Sequence, residues 1–157
     1  MKIFLTVGSQ APFDRLVKII DKWCEHLDSI SMIGQIGKAG YIPVNFKYFE
    51  YLNDEEYMKY LNDSNLVISH AGMGTIITCC LMSKPLLVLP RLRKHKEHRN
   101  DHQIATVKGL SNSGYIYPIF CNNDLEKFLG NINEIKSLRK MNKSPSSLIE
   151  FVSNSLE

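Results

Sequence analysis

The chain has 157 residues and a net charge of +3, with hydrophobic and charged shares of 44% and 22%. These values predict one soluble globular domain over residues 1–157, large enough to bury its own core. The weak positive charge does not favour a nucleic-acid-binding protein, and we expect no nucleic-acid partner. The first apolar run is too short for a signal peptide and no later run reaches membrane-spanning length, so we expect a cytoplasmic protein.

Apolar runs that predict strands alternate along the chain with segments of helical period. The predicted strands are KIFLTV (2–7), SMIGQIG (31–37), VNFKYFEY (44–51), NLVIS (65–69), PLLVLP (85–90) and GYIYPIF (114–120). The predicted helices span 13–27, 54–64, 75–82, a segment from about Asp101, and 122–138. This alternation predicts an α/β fold with a single Rossmann-like, doubly wound parallel sheet. Residues 144–157 are predicted to form a C-terminal tail helix that packs on this domain or on a partner.

Ligands bind such a sheet at the carboxyl ends of its strands, which directs attention to the loops that follow strands one, four and five. In the first loop, TVGSQAPFD, Gly8 and Ser9 follow the strand directly. They leave backbone amides free at the entrance of the next helix, where an anion can bind. The alternative is a tight strand-to-helix turn, which also favours glycine.

The loop after the fourth predicted strand, in SHAGMGT, is unusually poor in side-chain bulk. Ala71, Gly72 and Gly74 remove side chains where the helix that carries Thr75 begins, which predicts a ligand close to the backbone. A pyrophosphate suits that position, because a helix start presents unpaired N–H groups and a partial positive charge. The segment is neither a GxxxxGK[ST] loop nor a GxGxxG fingerprint. His70 either donates to a phosphate or sugar oxygen or caps the loop through backbone hydrogen bonds.

The loop after the fifth predicted strand, PRLRKHKEHRNDHQ, combines a dense basic run with three histidines. It ends in Asn100, Asp101, His102 and Gln103, groups suited to a polyhydroxyl ligand. The alternatives are a solvated charged face, a nucleic-acid surface and a metal site made of histidines 95, 98 and 102. No common zinc spacing is present and no aromatic residues interleave with the cations, so we expect neither a metal nor a nucleic acid here.

Three segments in this order, TVGSQAPFDRLV, DSNLVISHAGMGTI and PRLRKHKEHRNDHQIA, resemble the small donor-binding subunit of two-subunit glycosyltransferases. That group belongs with the family 28 C-terminal domains. It includes the small subunit of the eukaryotic transferase that adds the second GlcNAc to a dolichol-linked sugar. It also includes bacterial proteins of exopolysaccharide and capsule assembly, which the ending EHRNDHQ resembles more closely. The resemblance implies the C-terminal half of a GT-B glycosyltransferase.

The resemblance also implies a set of donor-binding residues. Those expected to line the donor pyrophosphate or to hold its phosphates are Gly8, Ser9, Gln10, His70, Ala71, Gly72, Met73, Gly74 and Thr75. His102 and Gln103 are expected to contact the transferred sugar, and Arg91 and His98 to complete the site. Many relatives carry a ribose-binding glutamate eight residues past the histidine, where this chain has Thr78. A threonine cannot grip two hydroxyls as a carboxylate does, so this resemblance predicts a weaker ribose contact.

The implied activity is inverting transfer from a UDP-sugar to a lipid-pyrophosphate-linked acceptor, with no cofactor and no obligatory metal. The expected partner is a membrane-anchored, acceptor-binding subunit that recruits this chain to the cytoplasmic face of the membrane and supplies the catalytic base. The alternatives are a free-standing homodimeric transferase and a non-catalytic regulatory module that binds nucleotide sugars. The basic run over residues 91–99 favours either an acidic sugar or anionic lipid headgroups.

Overall fold

The structure, a computed structural model, describes residues 1–9, 11–25, 30–136 and Glu150. Its strands are β1 (Lys2–Thr6), β2 (Ser31–Gln35), β3 (Lys47–Phe49), β4 (Leu66–His70), β5 (Leu86–Leu89) and β6 (Tyr117–Pro118). Its α-helices are α1 (Asp14–Cys24), α2 (Asp54–Asp63), α3 (Met73–Leu81), α4 (His102–Asn112) and α5 (Asn122–Gly130). Single 3-10 turns span Arg93–His95 and Ile132–Glu134.

The described strands form one sheet in the order β3-β2-β1-β4-β5-β6, and every neighbouring pair is parallel. The predicted doubly wound α/β fold is therefore confirmed. The chain order reverses between β1 and β4, because β1 pairs with β2 on one side and with β4 on the other. The loops that leave β1 and β4 consequently diverge, and a crevice opens at their carboxyl ends.

Alternate side chains of the central strands enter two separate cores. Ile3 and Leu5 of β1 pack with α1 on one face of the sheet. Phe4, between them, packs with α3 and α4 on the other face. The same alternation holds in β4 and β5, where both sets of alternate side chains are apolar. A strand covered on both faces needs apolar residues at most positions, which explains the nearly continuous apolar runs in the sequence.

The predicted bounds differ from the observed ones mainly at two edge strands and in the last helix. β3 has three residues instead of eight, since the preceding segment is tied to α1: Asp21 accepts hydrogen bonds from the Val44 and Asn45 amides. β6 has two residues and includes Pro118, which cannot donate to a ladder. α5 ends at Gly130, well before residue 138. The end predicted for α1 at residue 27 and, apart from Glu150, the predicted tail helix over residues 144–157 lie outside the described residues.

Candidate functional site

An open cleft of about 520 Å³ lies at the carboxyl ends of β1, β4 and β5, at the crevice where the strand order reverses. Its lining includes the predicted residues Gly8, Ser9, His70, Ala71, Gly72, Met73, Gly74, Thr75, Arg91, His98, His102 and Gln103. The fold thus brings the three loops chosen from the sequence to one place. Gln10 lies outside the described residues, and Thr78 lies one turn further along α3.

The imidazole of His70 is wedged between two glycines of different loops. A Cβ atom built on Gly8 would lie 2.7 Å from His70 Cε1, and one built on Gly72 would lie 2.4 Å from His70 Nε2. Gly8 also has a φ of +78°, a conformation that side chains disfavour. The neighbouring imidazole therefore explains why neither position carries a side chain. Gly74 differs, because a Cβ atom added there would meet nothing within 4 Å and a longer side chain would enter open space.

His70 is neutral at physiological pH. Burial lowers its pKa to about 4, and the charge of Arg91 acts in the same direction, while a hydrogen bond with the Thr6 backbone opposes both. Next to it, the Ser69 hydroxyl donates to the Thr6 carbonyl at 2.9 Å and lies 3.4 Å from His70 Nδ1. A neutral imidazole offers one donor and one acceptor, so His70 can hydrogen-bond a ligand and contributes no cation to the cleft.

The first turn of α3 opens onto the cleft without a side-chain cap. α2 is capped by the Asn53 side chain, whereas Gly72 at the start of α3 has no side chain to offer. The Gly72 N–H itself is engaged, because it donates to the His70 carbonyl at 2.8 Å. The amide donors available to an anion are therefore those of Met73, Gly74 and Thr75.

Two threonines of α3 have internal partners. The Thr75 hydroxyl lies 3.1 Å from the Tyr57 hydroxyl, and the Thr78 hydroxyl donates to the Gly74 carbonyl at 2.8 Å within the helix. Thr75 lines the cleft, whereas Thr78 is not part of its lining. The predicted contact of Thr78 with a ligand stays a prediction, and its hydroxyl is already used by the helix backbone.

The loop after β5 also lines the cleft, and two of its charged side chains are engaged with the β1–α1 region. Arg91 is 3% exposed and donates to the carbonyls of Val7, Ala11 and Pro12. Glu97 accepts two hydrogen bonds from Arg15, at 2.8 and 2.9 Å, and a third from the Leu92 amide. Sequence patterns missed Arg15, because nothing in a single helix shows which distant carboxylate its polar face will meet.

The ion pair sets the ionisation of Glu97. Burial acts to raise its pKa, but the hydrogen bonds from Arg15 and the Leu92 amide, together with the charges of Arg15 and His95, lower the pKa below the ordinary glutamate value. Glu97 is therefore an ionised carboxylate that already accepts three hydrogen bonds. It lines the cleft without being suited to accept a proton from a substrate hydroxyl.

Two histidines stand at the mouth of the cleft. The rings of His98 and His102 meet edge to face with centroids 4.6 Å apart, and His102 Nδ1 contacts the Asn100 side-chain oxygen. In the part of the chain that the structure describes, no three His, Cys, Asp or Glu side chains gather as metal ligands would. The lack of a metal requirement stays a prediction. Within the same residues, no helix combines the length and the apolar composition needed to span a membrane.

Comparison with known proteins places this chain in a family. Residues 2–154 match the profile described as "Glycosyltransferase family 28 C-terminal domain". The chain is 28% identical over 130 residues to the UDP-N-acetylglucosamine transferase subunit ALG13 of Mus musculus, across 76% of this chain and 11% of the mouse protein. It is similar to the solution structure of ALG13, with a TM-score of 0.64 at 20% identity, covering 99% of this chain and 96% of the other. It is also similar to MurG of Acinetobacter baumannii, with a TM-score of 0.62 at 16% identity, covering 97% of this chain and 44% of MurG.

The chain thus spans about a tenth of the length of the mouse relative. The likeness to the two solved structures concerns the fold, and it confirms the predicted equivalence to one half of a GT-B glycosyltransferase. Because the family profile extends over residues 2–154, nearly the whole sequence, the chain belongs to the glycosyltransferase family 28 C-terminal domain family.

Proposed function

We propose that this chain is the donor-binding subunit of an inverting glycosyltransferase, and that its cleft holds the pyrophosphate of a UDP-sugar. The observation that carries the proposal is the uncapped start of α3, whose amides open onto a cleft walled by Gly72, Gly74 and a neutral His70. Amide donors with little side-chain bulk around them suit a pyrophosphate. The name of the mouse relative, a UDP-N-acetylglucosamine transferase subunit, supports a UDP-sugar as the donor.

The chemistry asked of this domain is stabilisation of the leaving group. In an inverting transfer, an acceptor hydroxyl attacks the anomeric carbon, the bond from that carbon to the pyrophosphate oxygen breaks, and UDP departs with the bonding electrons. The amides of Met73, Gly74 and Thr75 meet the charge that develops on the pyrophosphate, and fixed dipoles need no reorganisation as the reaction proceeds. The His70 ring can add one neutral hydrogen bond.

The proton released by the acceptor hydroxyl goes to a base on the partner subunit in this proposal. Two titratable side chains of this cleft are poorly suited to that task. Glu97 is occupied by Arg15 and the Leu92 amide, and the His70 ring is confined between Gly8 and Gly72. We assign the partner the acceptor site, a membrane anchor and the base, with a lipid-pyrophosphate-linked sugar of exopolysaccharide or capsule synthesis as the acceptor. The word "subunit" in the relative's name supports such an assembly.

The first test is calorimetric titration of the purified chain with UDP, UDP-GlcNAc, UDP-Gal and UDP-GlcA. ADP is the control for recognition of the uracil. Gly74→Asp is the informative variant, since its side chain enters open space and an acidic residue in the first helical turn does not disturb the helix. We expect it to abolish UDP binding by repelling the pyrophosphate. Gly74→Asn, which has the same shape without the charge, should retain most of the affinity.

Equal affinity of both variants would place the pyrophosphate away from α3 and overturn the proposal. Turnover is then measured with and without a co-expressed acceptor-binding subunit. We expect product only with the partner present. Turnover by the isolated chain on a simple acceptor would identify a free-standing transferase, and UDP-sugar binding without turnover in either case would identify a regulatory module.

A further inference from the structure

Arg91 closes both ends of the β1–α1 loop with one planar group. Its Nη2 donates to the carbonyls of Val7 at 2.9 Å and Ala11 at 2.7 Å, and its Nη1 donates to the carbonyl of Pro12 at 2.6 Å. Residue 7 precedes Gly8 and Ser9, and residues 11 and 12 follow them. The loop that lines the cleft is therefore fastened where it leaves β1 and again where it enters α1.

We call Arg91 and the three carbonyl groups that it binds the clamp. The backbone of Arg91 is held by α4. The backbone N–H of Arg91 donates to Gln103 Oε1 at 2.9 Å, and Gln103 is only 5% exposed. The guanidinium also lies over the Phe13 ring, with its central carbon 4.6 Å from the ring centroid. Gln103 thus holds the backbone of Arg91, and Phe13 packs against its guanidinium. The clamp joins the start of α4 to the loop after β1 through a single buried residue.

These contacts determine how the loop presents its backbone. A peptide unit is planar and trans, so a carbonyl that points at the guanidinium turns the following N–H in the opposite direction. The Val7 carbonyl faces Arg91, and the Gly8 N–H accordingly points away from it, to the Thr6 hydroxyl at 3.3 Å. Three carbonyl acceptors also occupy most of the fork of donors that the guanidinium carries. Two of its five N–H groups remain for other acceptors.

We infer that Arg91 is a positioning residue: it holds the loop containing Gly8 and Ser9 in the conformation that receives the donor pyrophosphate, and it does so through its hydrogen-bonded fork rather than as a cation on the leaving group. This inference rests on the proposed function for its ligand. It also gives Gln103 a second role, because its side-chain oxygen accepts from the backbone N–H of Arg91 and so supports the clamp.

Arg91→Lys separates the two roles, because lysine keeps the charge but has no planar fork able to reach three carbonyls. Arg93→Lys is the matched control, an exposed arginine of the same loop. Hydrogen exchange of the unliganded proteins should show the backbone N–H groups of residues 7–11 and 13 exchanging about tenfold faster in Arg91→Lys and unchanged in Arg93→Lys, because only the first variant releases the loop. Unchanged exchange in Arg91→Lys would overturn the inference.

Binding supplies the second readout. We expect Arg91→Lys to weaken UDP by about tenfold and uridine by less than about twofold, because the clamp orders the pyrophosphate side of the cleft. Retention of UDP affinity, or equal loss for UDP and uridine, would mean that the residue does not position the pyrophosphate loop. If Arg91→Lys unfolds, Gln103→Leu, which leaves all three carbonyl bonds possible, should give the same pattern with smaller changes; a uniform loss for both ligands there would overturn the inference. Failure of the wild-type chain to bind UDP would instead refute the proposed function, while the exchange experiment still tests the clamp.

Discussion

The loops after β4 and β5 line the same cleft, yet their residues are held in place in different ways. The β4 loop places small residues around the neutral His70 ring, and Gly72 leaves the space that this ring occupies. The β5 loop is rich in charge, but its two central groups are engaged inside the fold: Arg91 with backbone carbonyls and Glu97 with Arg15. A run of small residues in the sequence indicates that another group lies close to the backbone there. A run of charged residues does not indicate which groups their side chains contact.

The largest effect that distinguishes the two loops is expected in the pH dependence of the free energy of unfolding, to which His70 of the β4 loop contributes. His70 has a folded-state pKa of about 4 against an ordinary value of 6.5, so the unfolded chain takes up its proton first as the pH falls. Burial of the neutral His70 ring therefore contributes fully to the free energy of unfolding above pH 6.5. This contribution is lost as the pH falls from 6.5 to 4, and the total loss is about 3 kcal/mol. Urea denaturation across this range measures it.

His70→Asn is the control for the acid response, since asparagine is polar and does not titrate. The free energy of unfolding of this variant should depend less steeply on pH between 6.5 and 4 than that of the wild type. Identical slopes for the two proteins would show that His70 is not buried as a neutral ring, and the contrast between the loops would lose its basis.

The next effect is steric. Gly72→Ala places a Cβ atom 2.4 Å from His70 Nε2, and overpacking of this kind costs about 2 kcal/mol. Gly74→Ala meets nothing within 4 Å and should be neutral or should stabilise α3 by about 0.5 kcal/mol. Denaturant unfolding of both variants compares two glycines that are two residues apart.

A double-mutant cycle identifies the cause of the steric effect. If the clash is with the imidazole, the cost of Gly72→Ala should largely disappear in a His70→Ala background, because the ring that the methyl group meets is gone. Additive losses would mean that the imidazole is not the group that the added methyl meets and that the explanation by mutual fit is wrong.

A smaller effect is expected from the β5 loop. Glu97→Gln removes a charge from three hydrogen bonds and should lower the free energy of unfolding by about 1–2 kcal/mol at neutral pH. Because the folded-state pKa of Glu97 lies below its ordinary 4.5, this stabilisation is present above pH 4.5 and is lost as the pH falls through the lowered value. The two loops should thus respond to acid in successive windows.

Glu126→Gln, a matched change at an exposed position of α5, provides the reference for Glu97→Gln. Its unfolding should stay within about 0.5 kcal/mol of the wild type. Equal effects at the two positions would mean that the pair between Arg15 and Glu97 does not fasten the β5 loop, and that this loop is as loosely held as its composition suggests.

Sequence patterns predicted the fold well, because the hydrophobic periodicity of a segment and the turn residues at its ends are local properties of the sequence. The alternation of apolar runs with helical segments was sufficient to predict the parallel sheet, and the small residues around Gly72 indicated where a backbone must be approached. Long-range tethers were not predictable. Asp21 is 1% exposed and accepts from Tyr41, Val44 and Asn45, although within α1 it occupies an ordinary polar position. That tether shortened β3, and the clamp of Arg91 likewise depends on residues about 80 positions away.

The smallest effect concerns Thr78, for which the family resemblance predicts only a weak contact with the ribose. Its hydroxyl donates to the Gly74 carbonyl one turn back, a type of bond that contributes little to a helix, so Thr78→Ala should change stability by less than about 0.5 kcal/mol. UDP affinity should change by less than about threefold, well under the effect of Gly74→Asp, because Thr78 does not line the cleft. A tenfold loss on calorimetric titration would place the ribose against the second turn of α3 and extend the site beyond the β4 loop. A small change would confine recognition of the donor by α3 to its first turn, where the backbone rather than the side chains makes the contacts.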